Sequence, residues 1–176
     1  MADDFVLCHY AGAFIDLLGQ RAQLRDQFLL PNDKAEAIRI TKKAIGDIRW
    51  LHARLDTFYS GYTSDPFAGD KQFDHAVAKE MRAVGLKFQR FSDGLLMYVS
   101  LHGQATPAVI NGLYGLIAAS GSLCLLGLIE SRPVRGGISV AWGAELNDNE
   151  LYGAVVARSY ELESEMAAYL LIFTQN

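Results

Sequence analysis

"LKFQRFSDGLLMYVSLHG", Leu86–Gly103, is the stretch on which the fold turns. Two runs rich in apolar and aromatic residues, Leu86–Phe91 and Leu95–Leu101, flank the polar triplet Ser92-Asp93-Gly94. Asp and Gly accept the backbone of a tight turn, and the flanking runs suit a half-buried sheet, so the stretch predicts a β-hairpin. A lone hairpin is marginal in water and needs more strands, or helices, against its apolar face. The neighbouring sequence supplies both.

On the N-terminal side, Val6–Asp16 reads as a first strand with Gly12 as a bulge candidate. Asp33 can cap a helix, with Glu36 three residues on as its capping-box partner. Ile38, Ile45, Ile48, Leu51, Leu55 and Phe58 recur at helical spacing, and Lys42, Lys43, Arg49 and Arg54 mark the opposite, solvated face. Gly61–Gln72 has loop composition, and Phe73, Val77, Met81 and Val84 mark a shorter helix. On the C-terminal side, Thr106-Pro107 starts an apolar helix that runs to about Ile129. Arg132–Leu146 reads as a strand, "NDNE" (Asn147–Glu150) as a turn and cap, Glu150–Ala168 as a helix and Tyr169–Thr174 as a closing strand. The order predicts a single α+β domain over residues 1–176: an antiparallel-rich sheet with helices on one side, of the ferredoxin-like or palm kind.

Composition narrows the function. Of 176 residues, 51% are hydrophobic and 20% charged, a globular balance. The net charge of −4 argues against coating a nucleic-acid polymer. Cys8 and Cys124 sit in apolar contexts without metal-ligand spacing and read as small hydrophobes. The start, "MADDFVL", has no basic region or apolar core of a signal peptide, and the uncharged Leu113–Ile129 carries several Gly and Ser. A buried helix in a cytoplasmic protein, with no membrane partner, is the expectation.

Asp16, inside the apolar "AFIDLLGQ" (Ala13–Gln20), is the first candidate for chemistry. Left unpaired there, its carboxylate would be expensive, so it pairs with a buried Arg, caps the next helix or binds a metal. Asp93 at the hairpin tip is, taken alone, a good turn residue. A first-strand end and a neighbouring hairpin tip can meet at one sheet edge, where two carboxylates suit Mg²⁺ and phosphate oxygens. Leu18, Gly19 and Gln20 could turn backbone N–H groups toward phosphates. His9, His52, His75 and His102 show no ligand spacing, and neither a Ser-His-Asp arrangement nor a Walker loop is readable.

"FID" at 14–16, "FSDG" at 91–94, "RGGISVAWG" at 135–143 and "YGAVVARSYELE" at 152–163 together resemble the class III nucleotidyl cyclase catalytic domain. The spelling is closest to the pyrimidine cyclases of bacterial Pycsar anti-phage systems. The resemblance implies that Asp16, Asp93 and the carbonyl of Leu17 hold two Mg²⁺ or Mn²⁺ ions. It implies cyclisation of UTP or CTP with release of pyrophosphate in a head-to-tail homodimer, and a separate cyclic-nucleotide-gated effector reached only through the product. The purine cyclases carry Asn and Arg where this chain has Ala157 and Glu161, so another cation must serve, with Arg135 and Arg158 the nearest. One of these is expected to face the partner's aspartates, and the small face of Gly153, Ala154, Val155 and Ala157 suits either close packing of a partner chain or burial in its own core. Gln89 and Glu150 stand at the base-reading positions, and Phe14, Trp50 or Tyr152 could fill the space of a purine's second ring. A degenerate dimerisation or nucleotide-sensing module, or a purine cyclase, are the alternatives.

Overall fold

The computed structural model describes Phe5 and residues 7–20, 33–63, 85–102, 106–147, 149–167 and 171–174. The shorter helix expected around Phe73–Val84, the loop from Ser64 on and His75 lie outside these residues. In chain order the elements are β1 (Leu7–Leu17), α1 (Lys34–Thr63), β2 (Lys87–Arg90), β3 (Gly94–Ser100), α2 (Thr106–Ile129), β4 (Val134–Asn147), β5 (Glu150–Gly153), α3 (Ala154–Glu161) and β6 (Leu171–Thr174). A π-helical turn, Leu162–Met166, extends α3.

The sheet runs β2-β3-β1-β4-β5, and β6 joins β4 in parallel beside it. β1 lies antiparallel between β3 and β4. The first four strands with α1 and α2 therefore form the split βαβ arrangement of ferredoxin-like folds, as the element order requires. The expected hairpin forms, with the Phe91 N–H donating to the Gly94 carbonyl at 2.9 Å.

Alternation along β1 separates two cores. Ala13, Ile15 and Leu17 face α1 and α2, meeting Leu51, Leu55, Leu116 and Leu123. Burying each of these Ile and Leu side chains contributes about 1.5–3 kcal/mol. Tyr10, Phe14 and, on β3, Leu96 and Tyr98 face the other way and meet Val155 of α3. The helices are thus not confined to one side: α3 covers the second face. Gly12 is not a bulge either. It pairs in regular register with Tyr98 and Ser139, and a Cβ there would stand 2.9 Å from Val155 Cγ2. The glycine lets α3 approach the sheet.

The sheet curls until its edges meet. Lys87 of β2 pairs with Glu145 of β4 at 2.6 Å, and the Leu151 N–H of β5 donates to Gln89 Oε1 at 3.2 Å. Tyr98 Oη also donates to Glu145, at 2.9 Å.

Other expectations shift in detail. Asp33 does cap α1, accepting from the Ala35 N–H at 2.9 Å, but Glu36 pairs with Arg39 instead of closing a capping box. Only the second half of α1 reaches the core; Ile38 and Ile45 stay exposed. Arg54, expected in solvent, pairs with Glu130, which also accepts from Trp50 Nε1 at 2.6 Å. α2 is long and apolar enough to cross a membrane, yet one face, with Leu116, Ala119 and Leu123, packs into the core. Ile110, Tyr114, Leu125 and Leu128 on its other face are exposed, so the helix is half-buried and not wholly internal. Glu150–Gly153, read as the start of a helix, is a short strand. Gly153, at φ 136°, makes the turn into α3 in a region that favours glycine. Both cysteines are free and half-buried.

Candidate functional site

A cavity of about 670 Å³ opens on the α3 face of the sheet. Phe14 and Asp16 of β1, Phe91, Ser92 and Asp93 of the hairpin turn, Trp142 of β4, Tyr152 and Gly153 of β5, and Ala154, Val156, Ala157 and Tyr160 of α3 line it.

Sheet register puts Asp16 there. It stands opposite Gly94 on β3 and Arg135 on β4, and shares the face of Phe14. Gly94 has no side chain for a reason: a Cβ would lie 2.6 Å from the Ile15 carbonyl and 3.5 Å from Asp16 Oδ1. Asp93 follows from the turn. The Leu17 N–H donates to the Asp93 carbonyl at 3.2 Å, and Ser92 Oγ donates to Asp93 Oδ1 at 2.9 Å. The turn that holds Asp93 is thereby fastened to the end of β1.

Asp16 is only 5% exposed, and Arg135 approaches its Oδ2 at 3.7 Å. Arg135 is in closer contact with Glu163, which is fully buried in the π-helical turn. Of the readings open for Asp16, pairing with a half-buried Arg is seen, and the residue also lines a cavity with Asp93. The donors are hard oxygens: Asp16 and Glu163 share the Arg135 guanidinium, and Asp93 lines the same cavity as Asp16. That set fits a divalent cation retaining several waters. Asp16 and Asp93 are the lining groups that could hold it, whereas Leu17 lines a smaller, separate hollow. Among the described residues no cluster of three or more His, Cys, Asp or Glu offers an all-protein cage.

The aromatic wall is built from residues distant in sequence. Phe14 packs on Phe91 and on Tyr160, each at 5.3 Å between ring centroids. Trp142 and Tyr152 are 52% and 69% exposed at the mouth, a large apolar surface left to solvent.

Several sequence candidates stand elsewhere. Leu18 and Gln20 line a smaller hollow of about 320 Å³ with Lys43, Asp47 and Arg132, and Gln20 Nε2 donates to Asp47 at 3.1 Å. Gly19 sits between them at φ 88°. Trp50 belongs to the α1–α2 side with Glu130, so it is not a wall of the cavity. Gln89 is tied to β5 through Leu151, and Glu150 is exposed, accepting from Asn147 Nδ2 at 2.6 Å. Arg135 stands beside its own chain's Asp16, and Arg158 lies half-buried on α3, away from the cavity lining. Of the two positions where purine cyclases carry Asn and Arg, Ala157 lines the cavity and Glu161 does not. Phe91, Trp142, Tyr160 and Glu163 were not singled out from sequence. Helical spacing from Val156 and Ala157 points to Tyr160, but only the fold brings Trp142 and Glu163 in.

No family model and no curated protein matches the chain. Solved structures similar to it are nucleotidyl cyclase catalytic domains. A bacterial light-regulated adenylyl cyclase is 14% identical, with a TM-score of 0.49 over 96% of this chain and 77% of its own. The catalytic core of a rhodopsin-guanylyl cyclase with converted specificity, in complex with ATPαS, is 11% identical, with a TM-score of 0.47 over 96% and 79%. The guanylyl cyclase domain of the RhoGC fusion protein from the aquatic fungus Blastocladiella emersonii is 15% identical, with a TM-score of 0.44 over 95% and 81%. At these identities, what the site does must come from its own residues.

Proposed function

We propose that the chain is a metal-dependent nucleotidyl cyclase that converts a pyrimidine nucleoside triphosphate, UTP before CTP, to its 3′,5′-cyclic monophosphate. The observation that carries the reading is the meeting of Asp16 and Asp93 in one aromatic-walled cavity. Mg²⁺ or Mn²⁺ held by these carboxylates, two ions per site, would supply charge neutralisation for phosphate oxygens and acidify the attacking hydroxyl.

The remaining work falls to the protein. The ribose 3′-oxygen forms a bond to the α-phosphorus, its proton leaves to solvent, and the bond from that phosphorus to the β-bridging oxygen breaks with release of pyrophosphate. Positioning and positive charge are most of what such a transfer needs. The cavity aromatics Phe14, Phe91 and Tyr160 receive the base and exclude water. Arg135 is engaged within its own chain, closely by Glu163 and more loosely by Asp16, and Arg158 is the cation assigned to act across a homodimer at the partner's site. Exposed Trp142 and Tyr152 at the cavity mouth support a second chain closing over it.

Gln89, with Glu150 near it on β5, lies outside this chain's own cavity lining, so base choice is assigned to them from the partner's side of the homodimer. The Leu151 N–H occupies Gln89 Oε1, which orients the amide so that its NH₂ donates. Uracil offers a carbonyl acceptor at the ring's fourth position where cytosine offers a donor, which favours UTP. The spelling of the four motifs supports a cytoplasmic role in anti-phage signalling through a separate effector. One observation favours a second reading: Ala157 lines the cavity where purine cyclases carry Asn, as a degenerate nucleotide-sensing module would.

The test is metal-dependent turnover of each triphosphate by the purified protein. Product should form with Mn²⁺ or Mg²⁺, vanish with chelator, and vanish in Asp93→Asn while its circular dichroism is unchanged. Nucleotide binding without turnover would favour the degenerate module.

A further inference from the structure

Glu163 is a carboxylate with 0% exposure, on a π-helical turn packed against β4. Among the described residues its compensating cation is Arg135, and neither carboxylate oxygen has a well-aligned hydrogen-bond donor. A buried, poorly hydrogen-bonded carboxylate costs stability, and an apolar residue of that size would be cheaper. Arg135 is itself divided: it contacts Glu163 closely and reaches Asp16 Oδ2 only at 3.7 Å. The Asp16↔Arg135 register would allow a full pair, so the guanidinium is drawn off Asp16 toward the π-turn.

We propose that Glu163 is a positioning residue that sets the divalent-cation affinity of Asp16 by holding Arg135 away from it. The inference rests on the cyclase reading of the site and adds to it a group that touches neither metal nor nucleotide. With Glu163 in place, Arg135 is shared between two carboxylates and only loosely engages Asp16. With Glu163 neutral, Arg135 closes on Asp16 as a tethered competitor for the same carboxylate. The π-turn is then the device that keeps the charge in place, since it carries Glu163 on the backbone that packs over Gly137. A Cβ at Gly137 would stand 2.7 Å from the Glu163 nitrogen.

The test is Mn²⁺ binding followed by electron paramagnetic resonance on the full chain, without nucleotide, for wild type, Glu163→Gln, Arg135→Gln and the double variant. Glu163→Gln should weaken Mn²⁺ binding roughly 10-fold, the lower range for residues that orient metal ligands. Arg135→Gln should tighten it, and in that background Glu163→Gln should have no further effect. An unchanged affinity in Glu163→Gln, or the same weakening with and without Arg135, overturns the proposal. If Glu163→Gln fails to fold, Arg135→Gln decides alone: tighter binding supports the proposal, and unchanged or weaker binding overturns it. Wild-type protein that binds no Mn²⁺, or binds it equally well as Asp16→Asn, removes the metal site and the cyclase reading together. Normal wild-type binding with an indifferent Glu163→Gln removes only this inference.

Discussion

A carboxylate that is 5% exposed within β1 must be compensated, and at Asp16 the compensation is shared among Arg135, the cavity and the proposed cation. This sharing makes the site mutable. Arg135 keeps Glu163 when Asp16 is lost, so Asp16→Asn leaves no buried charge without a partner. Asp16→Asn is therefore expected to keep its melting temperature within a few degrees of wild type while turnover falls at least about 100-fold, the scale of losing one preorganised electrostatic group. Thermal denaturation beside a turnover assay checks this; a variant that melts early would mean Asp16 serves the fold instead. Asp16 was legible in sequence because a charge in an apolar run has few explanations. Glu163 was not, because "YELESE" gives no local sign that its second glutamate turns inward. That depends on a π-turn and on the long-range approach of β4.

At the scale of elements, the curl of the sheet rests on Glu145, where Lys87 and Tyr98 from the other edge converge. Burial pushes the Glu145 carboxyl up, but the hydrogen bonds from Lys87, Tyr98 and the Asn149 N–H outweigh it, and the net shift is downward. A folded-state value below the unfolded one means stability that is present above the ordinary carboxylate range and lost as pH falls through the folded value. Glu145→Gln should thus lower stability at neutral pH and flatten its decline in acid, as urea titrations across pH would record. An unaltered acid limb would mean that the edge closure does not depend on this charge. The glycines of β1 and β4 argue similarly. A Cβ at Gly137 would press on backbone of α3 and the π-turn, whereas one at Gly12 would meet side-chain atoms of Val155, Ser159 and Leu96. Gly137→Ala should cost more than Gly12→Ala, on the order of 1–3 kcal/mol for overpacking. Chemical denaturation of the two variants decides the order. The hairpin, α2 and β4 were readable because period and turn chemistry are local. Gly12 as a bulge and Glu150–Gly153 as a helix start failed because a close helix approach and a four-residue strand are set by distant partners.

For the whole molecule, the ferredoxin-like strand order was legible in the sequence of elements, while the placement of α3 on the second face was not. That placement makes the cavity, since it brings Tyr160 over Phe14 and Asp16. It also leaves Trp142 and Tyr152 exposed around the opening. A homodimer closing on that face should appear in light scattering at micromolar concentration, and Trp142→Ala should shift it toward monomer. The central claim is the product. Purified protein is incubated with Mn²⁺ or Mg²⁺ and, separately, UTP, CTP, ATP and GTP, and the products are identified by mass. The account predicts cyclic UMP and pyrophosphate from UTP, with a lesser yield of cyclic CMP. Cyclic AMP or cyclic GMP as the dominant product, or no cyclic product from any of the four, would contradict it.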